Sequence, residues 1–219
     1  MILLMLLFVV ILFLIFINKQ TMKDIKELST DDTYDKQTAS LPSNEIICKE
    51  IQHFLGNECE IKLDDEAKSS AYIFFQNKII LSNTEESKKN YTRILFIAHE
   101  CIHSIQSRTT HIINFVLANI RNIYDIILLV LLMIGRGSLE LIMISFLISF
   151  LSFYYRMILE VDAIYRSVIV SRKYLKENNL EFVADRYEEI IPKTISGLYF
   201  TYIVPILFKL LIFVSLNLF

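Results

Sequence analysis

The sequence predicts an α+β membrane protein that is mostly α-helical, with about four transmembrane helices and one small α/β module. Of its 219 residues 54% are hydrophobic, and they cluster in runs long enough to cross a bilayer. After the first run, short segments with alternating polar and apolar residues indicate strands. The net charge of −2 does not point to nucleic acid, so we expect none as a partner.

The apolar runs are the predicted transmembrane segments. Residues 1–17 lack the positive start and small-residue end of a cleaved signal peptide, so we interpret them as an uncleaved N-terminal anchor. Residues 111–158 hold two runs joined by the link "GRGS", whose shortness predicts an antiparallel transmembrane hairpin. Residues 195–219 carry one charged residue, Lys209, and form the predicted C-terminal transmembrane helix.

The small α/β module is predicted over residues 43–110. The stretch "SNEIICKEIQHFLG" predicts a helix with Ser43 or Asn44 as its cap and Gly56 at its end. "ECEIKL" predicts a strand, and "AYIFF" with "IILS" predicts a hairpin, in which we interpret "KIIL" as an edge strand. "YTRILFIAHECIHSIQSR" is apolar around most of its circumference, which predicts a buried helix.

Two polar segments flank these elements. Residues 18–42 are interpreted as a linker and residues 159–194 as a polar helical segment. A two-span hairpin returns the chain to the side it left, so the segment near position 160 shares a side with the buried helix. Lysines and arginines concentrate on that side, against Arg136 alone in the hairpin link. We therefore expect a multi-pass protein of the cell membrane, in contact with lipid, with this side in the cytoplasm.

The buried helix contains the motif H-E-x-x-H, formed by His99, Glu100 and His103. Histidines four apart face the same way on a helix, and both can offer a ring nitrogen to one zinc ion. The glutamate between them lies beside a metal-activated water and can accept its proton as a general base. Cys101 points to a different side of the helix, so we do not count it as a ligand.

Zinc hydrolases keep three protein ligands, so a third ligand is expected. Glu160 in "EVDA" and Glu181 in "EFVAD" both have the E-x-x-A pattern, and periodicity does not choose between them. The position of Glu160, close to the membrane end to which the hairpin returns, favours it. His111 is a further alternative, although it lacks the spacing of a third zinc-ligating histidine.

The order of segments and three motifs resemble the YugP-like neutral zinc metallopeptidases of bacterial membranes. "AHECIHSIQ" is similar to the family's A-H-E-x-G-H-A-x-Q, "LEVDAIYRS" to V-E-F-(N/D)-A-S-x-R-A, and "TYI" in the last span to T-Y-(V/I). Ile102 and Ile164 stand where the family has glycine and serine. The resemblance covers nearly the whole chain. It implies a zincin-like module, and one Zn²⁺ per chain on His99, His103 and Glu160 with Glu100 as the catalytic base.

The sequence thus predicts an integral-membrane zinc metallopeptidase that hydrolyses peptide bonds, with a peptide or protein as its substrate. One alternative is a catalytically silent membrane interaction protein that retains a structural zinc site. Another is a membrane protein in which the two histidines are core residues and bind no metal. The first alternative has no need of a general base, and this chain retains Glu100.

Overall fold

The computed structural model describes residues 2–218. These residues are mostly helical, with one small three-stranded sheet. The coarse fold class predicted from the sequence is confirmed. In chain order the elements are α1 (Ile2–Leu28), α2 (Asp32–Thr38), α3 (Asn44–Leu55), β1 (Glu60–Asp64), β2 (Ala71–Ile73), β3 (Lys78–Ser82), α4 (Glu85–Lys89), α5 (Arg93–Ile105), α6 (Arg108–Met133), α7 (Leu139–Glu177) and α8 (Glu181–Leu218).

The chain divides into two compact units. The apolar unit contains the chain up to Met22, Thr109–Ile158 and the chain from Ser196 onward. The sheet unit contains Lys23–Arg108 and Leu159–Ile195. Helices α1, α7 and α8 each contribute residues to both units, so the borders between predicted segments at 17/18, 158/159 and 194/195 fall inside continuous helices.

Four helices of the described chain, α1, α6, α7 and α8, are long and apolar enough to cross a membrane. Their most apolar windows have mean hydropathies between 1.8 and 2.9, and only 6% to 28% of the residues in each window are buried. Many large apolar side chains therefore point outward, such as Ile126, which is 66% exposed. Such a surface is unfavourable in water and is compatible with a multi-pass membrane protein.

Inside the apolar unit, an ion pair joins helices α6 and α8. The ammonium group of Lys209 donates to both carboxylate oxygens of Asp125, at 3.0 and 2.8 Å, and also to the hydroxyl of Ser149. The Ser145 hydroxyl donates to Asp125 at 2.6 Å. Because both serines lie on α7, the network connects three helices, and each charge has an opposite charge or hydroxyl beside it.

The three-stranded sheet lies in the sheet unit in the order β1-β3-β2. Strand β3 pairs parallel with β1 and antiparallel with β2, so the predicted hairpin of β2 and β3 is confirmed. The interpretation of "KIIL" as an edge strand is wrong, because β3 is the central strand. It carries two side chains with no exposed surface, Ile79 and Leu81, which suits a strand covered on both edges.

Helix α3 has the ends that the sequence predicts. It begins after Ser43 and ends at Gly56, whose φ of 63° lies in the left-handed region that glycine adopts without strain. Its buried residues Ile47, Cys48 and Ile51 pack in one hydrophobic core with α5, β3 and the facing parts of α7 and α8. This core holds α5 in place.

The interpretation of residues 18–42 as a linker is wrong. Helix α1 continues to Leu28, and Asp31 caps α2 by accepting a hydrogen bond from the backbone N–H of Thr33. Tyr34 on α2 packs against Tyr91, with ring centroids 5.3 Å apart. The helices form because this polar segment has apolar contacts in the core, which its composition alone does not indicate.

The polar segment 159–194 consists of the end of α7 and the beginning of α8. The two helices are separated at Asn179, which has a φ of 59°. Asparagine tolerates the left-handed conformation better than most residues and ends helices in this way. The backbone N–H of Leu180 then donates to the carbonyl of Leu175 at 2.8 Å, so α8 starts directly after the turn.

We expect removal of one member of the Asp125–Lys209 pair to destabilise the protein more than removal of both. Asp125→Asn or Lys209→Met leaves a charge without its partner, which costs about 3 kcal/mol in an apolar environment. The double variant leaves no charge, so its loss is expected to be smaller. Thermal unfolding in detergent, followed by circular dichroism, measures the three variants.

Lys193→Met is the matched control for these variants. Lys193 pairs with Asp24 in the sheet unit at 2.5 Å, but 42% of its side chain is exposed. An exposed pair contributes about 1 kcal/mol or less. A double variant that loses as much stability as the sum of the two single variants would show that the Asp125–Lys209 contact contributes nothing of its own.

Candidate metal centre

Helices α5 and α7 bring together two imidazole rings and one carboxylate in the sheet unit. The Nε2 atoms of His99 and His103 are 3.0 Å apart. The Oε2 atom of Glu160 lies 3.3 Å from Nε2 of His99 and 3.7 Å from Nε2 of His103. His103 is 8% exposed and Glu160 6% exposed, so the donor atoms converge in a space largely shielded from water.

These distances fit a tetrahedral metal ion. Ligand atoms at about 2.0–2.1 Å from such an ion are separated from one another by about 3.3 Å. The three measured separations, 3.0, 3.3 and 3.7 Å, lie around that value. The group supplies two nitrogens and one oxygen, so within residues 2–218 the fourth position of a tetrahedral ion has no ligand from this group. The site can therefore hold a metal ion and still admit another molecule.

Gln106 determines which nitrogen of His103 faces the centre of the group. Its amide N–H₂ donates to the carbonyl of Leu159 at 2.7 Å and to the carboxylate of Asp162 at 2.8 Å. Its amide oxygen is thereby directed at Nδ1 of His103, 2.7 Å away. An oxygen acceptor requires a proton on Nδ1, so we infer that the lone pair of neutral His103 is on Nε2.

The charge of Glu160 favours a cation at this place. Burial by itself lowers the pKa of His103, but the hydrogen bond and negative charge of Glu160 outweigh it, and the pKa is raised above its usual value. The same carboxylate that attracts a proton to the imidazole attracts a metal ion. Protons and metal therefore compete for His103, and metal binding is expected to weaken in acid.

Glu100 lies beside the group, at the outer edge of the sheet. The backbone N–H of Tyr72 on β2 donates to Oε2 of Glu100 at 2.6 Å. Burial raises the pKa of Glu100, while the neighbouring His99 and His103 lower it, and the net shift is upward. A carboxylate with a raised pKa is a better proton acceptor than an ordinary glutamate near neutral pH.

The residues with the geometry of a ligand group are His99, His103 and Glu160. Neither Glu181 nor His111 belongs to the group that the described residues form. Glu181 is the first residue of α8 and its side chain is exposed. Cys101 is turned into the core, with its Sγ 3.6 Å from Sγ of Cys48, as expected for a residue on another side of α5.

Sequence reasoning did not find the three residues that support this group: Gln106, Asp162 and Tyr72. Gln106 follows His103 by three positions, directly after the end of α5, and Asp162 follows Glu160 by two. Both residues stand inside the motifs quoted above, and this position in a motif is the sequence signal that could have identified them. The contact of Tyr72 is made by its backbone, and no residue pattern could have predicted it.

The chain matches no model of a known protein family, no curated protein and no solved structure. The similarity to YugP-like metallopeptidases therefore rests on the motifs quoted above and stays a prediction.

Gln106→Leu is expected to weaken metal binding by roughly 10-fold to 100-fold, because His103 loses the acceptor that orients its ring. The dissociation constant for Zn²⁺, measured by competition with a coloured chelator, tests this expectation. Asn57→Ala is the control. It removes an amide hydrogen bond of 2.8 Å to Ser104 on the same helix, away from the ligand atoms, and should leave the constant unchanged. Equal effects of both variants would mean that Gln106 only stabilises α5.

Proposed function

We propose that this chain is an integral-membrane zinc metallopeptidase that hydrolyses peptide bonds with Glu100 as the general base. The observation that carries the proposal is the group of His99, His103 and Glu160 with Glu100 beside it. Two imidazoles and one carboxylate with an open fourth position are the ligand set of the glutamate-type zinc hydrolases. A structural zinc site is ordinarily closed by a fourth protein ligand.

The proposed hydrolysis assigns a role to each side chain near the ligand group. A zinc ion bound here would lower the pKa of a water molecule and polarise the carbonyl of a peptide bond. In this proposal Glu100 accepts a proton at its carboxylate and delivers it to the leaving amine. The N–H of Tyr72 holds Glu100 in position. Gln106 keeps His103 oriented with Nε2 toward the site.

The edge of β2 is where we propose that an extended peptide binds. The N–H of Tyr72 points away from β3, toward Glu100, so the outer edge of β2 lies next to the site. An added peptide strand would hydrogen-bond to this edge and bring a peptide bond beside Glu100. Strand β3, interpreted as the edge from sequence, cannot take this role because it is paired on both sides.

We propose that the site works at the surface of the cell membrane, on the cytoplasmic side. The support is the charge distribution: lysines and arginines are concentrated outside the apolar runs on the side of the metal group, whereas the hairpin link carries Arg136 alone. A reaction there would act on peptides or on the cytoplasmic segments of membrane proteins.

The proposal is tested by zinc content and casein hydrolysis in the same samples of detergent-purified protein. We expect about one zinc per chain in the wild type, and loss of zinc and activity in Glu160→Ala, because a three-ligand site does not survive loss of its only carboxylate. Glu100→Gln should keep its zinc and lose roughly 10²-fold to 10⁴-fold in rate, because only the base is removed.

Glu181→Ala is the matched control, since it removes an exposed glutamate of the second E-x-x-A segment. It should keep both zinc and activity. Zinc without hydrolysis of any substrate would favour the silent protein with a structural zinc site. A wild-type chain that takes up no zinc, even after reconstitution, would show that the two histidines are core residues and that the proposal is wrong.

A further inference from the structure

A cleft of about 360 Å³ lies in the apolar unit between helices α6, α7 and α8. Its walls include apolar side chains, such as Phe153 and Ile206. They also include several polar side chains, and among the described residues the charged ones are Arg121, Asp125 and Lys209. Charged groups within membrane-spanning helices are costly, and they ordinarily serve a partner or a function.

Arg121 is the one charged group of this cleft to which the described chain gives no opposite charge. Asp125 and Lys209 lie 2.8 Å apart and compensate each other. Arg121 donates from Nε at 3.3 Å and from a terminal nitrogen at 3.0 Å, both times to the neutral side-chain oxygen of Asn122, and it makes no ion pair within residues 2–218. Because a guanidinium stays charged, two cations and one carboxylate give the described walls a net charge of +1.

The cleft has polar groups on a surface that is otherwise apolar. Asn122 and Thr201 are exposed, although their surroundings include exposed apolar residues such as Ile123. Pro205, also in the wall, has no backbone N–H, so the carbonyl of Thr201 lacks the donor that a helix normally supplies four residues later. In a membrane this surface faces lipid, and it offers lipid a guanidinium, an amide, a hydroxyl and a carbonyl oxygen.

The position of Arg121 along α6 brings its guanidinium toward one layer of lipid headgroups. Arg121 precedes Met133, the end of α6, by 12 positions, or about 18 Å at roughly 1.5 Å per residue. It therefore lies past the middle of an apolar core that is about 30 Å thick. Helical side chains tilt toward the helix N-terminus, so this long side chain extends further toward the surface at which α6 begins.

A second arginine lies closer to the same surface. Arg156 follows Leu139, the start of α7, by 17 positions, which places it about 25 Å from the hairpin link. Its Nε donates to the hydroxyl of Tyr202 at 3.1 Å, and Tyr202 belongs to the wall of the cleft. An anionic group that enters from this surface thus meets Arg156 before it reaches Arg121.

We propose that this cleft binds the phosphate group of an anionic phospholipid, with Arg121 as its main contact. A phosphodiester carries one negative charge, which matches the net charge of the cleft, and a guanidinium can bind two phosphate oxygens at once. The headgroup hydroxyls of phosphatidylglycerol supply donors for the carbonyl of Thr201. A zwitterionic lipid fits less well because its own cation lies next to the arginines. The inference goes beyond the proposed peptidase activity and does not depend on it.

The test uses a tryptophan as a reporter, since the chain contains none. Phe153→Trp places the reporter in the wall of the cleft, and Phe8→Trp places it on an exposed part of α1 outside the cleft. Each protein is reconstituted in vesicles of phosphatidylcholine that contain brominated phosphatidylglycerol or brominated phosphatidylcholine, whose bromine atoms quench a neighbouring tryptophan. In the Phe153→Trp protein we expect roughly fivefold preferential binding of phosphatidylglycerol, the effect of about one arginine near a membrane surface. The Phe8→Trp protein should show no preference.

The contribution of Arg121 is measured in the Phe153→Trp protein. Arg121→Gln should remove the preference, whereas the matched control Arg136→Gln, which removes an exposed arginine of the hairpin link outside the cleft, should keep it. Equal quenching by the two lipids in the Phe153→Trp protein would overturn the inference, even if Arg121→Gln did not fold. A preference that persists in Arg121→Gln would overturn it as well. Quenching by neither lipid, with ordinary quenching in the Phe8→Trp protein, would also overturn it and favour another transmembrane helix as the occupant.

Discussion

The hydrogen bonds of Gln106 connect the two segments from which the candidate metal centre is built. One side chain binds His103 on α5, the backbone of Leu159 and the side chain of Asp162 on α7. Without this connection, the distance between the imidazoles and Glu160 would depend on the packing of the two helices and on more distant contacts, such as the hydrogen bond from the Ser171 hydroxyl to the carbonyl of Ile94. Such packing has no preference for the tautomer of a histidine. The directional hydrogen bonds of an amide do favour one tautomer. For that reason the lone pair of neutral His103 faces the centre of the ligand group.

Four charged side chains of the described chain, two of them buried and two partly buried, have different surroundings. Asp125 and Lys209 pair with each other inside the apolar unit, so their charges cancel locally. The guanidinium of Arg93 donates its hydrogen bonds to neutral oxygens, such as the carbonyls of Pro42 and Thr38. The Oε2 atom of Glu160 lies 3.3 Å from Nε2 of His99 and 3.7 Å from Nε2 of His103. The paired charges of Asp125 and Lys209 mainly hold their helices together, whereas the carboxylate of Glu160 belongs to the group that could hold a metal ion.

Much of the fold was predictable because it depends on local patterns. Residue spacing and run length predict helix α3 with Gly56 at its end, the hairpin of β2 and β3, and the four apolar helices. The place of β3 at the centre was not predictable, because the alternation of side chains is the same in edge and central strands. The helices within residues 18–42 were missed for a related reason, since the contact of Tyr34 with Tyr91 joins positions far apart in sequence.

The candidate site likewise has parts that local sequence patterns predicted and parts that they could not predict. The spacing of His99 and His103 on one helix face predicted their meeting, and the hairpin topology favoured Glu160, which lies with them. The choice against Glu181 needed the fold, because both glutamates have the same local pattern. Gln106 could have been proposed from its spacing to His103, but its partners on α7 could not. A residue that links two distant segments has no local pattern of its own.

The separation of His103 and Glu160 in the chain has a consequence for biogenesis. Glu160 follows His103 by 57 positions, and the intervening chain includes all of α6 and the first part of α7. A ribosome completes the two imidazoles well before it makes the carboxylate. The ligand group therefore closes late, after the hairpin helices have been synthesised and have folded back. A metal ion held by all three residues would therefore bind only after chain synthesis has passed Glu160.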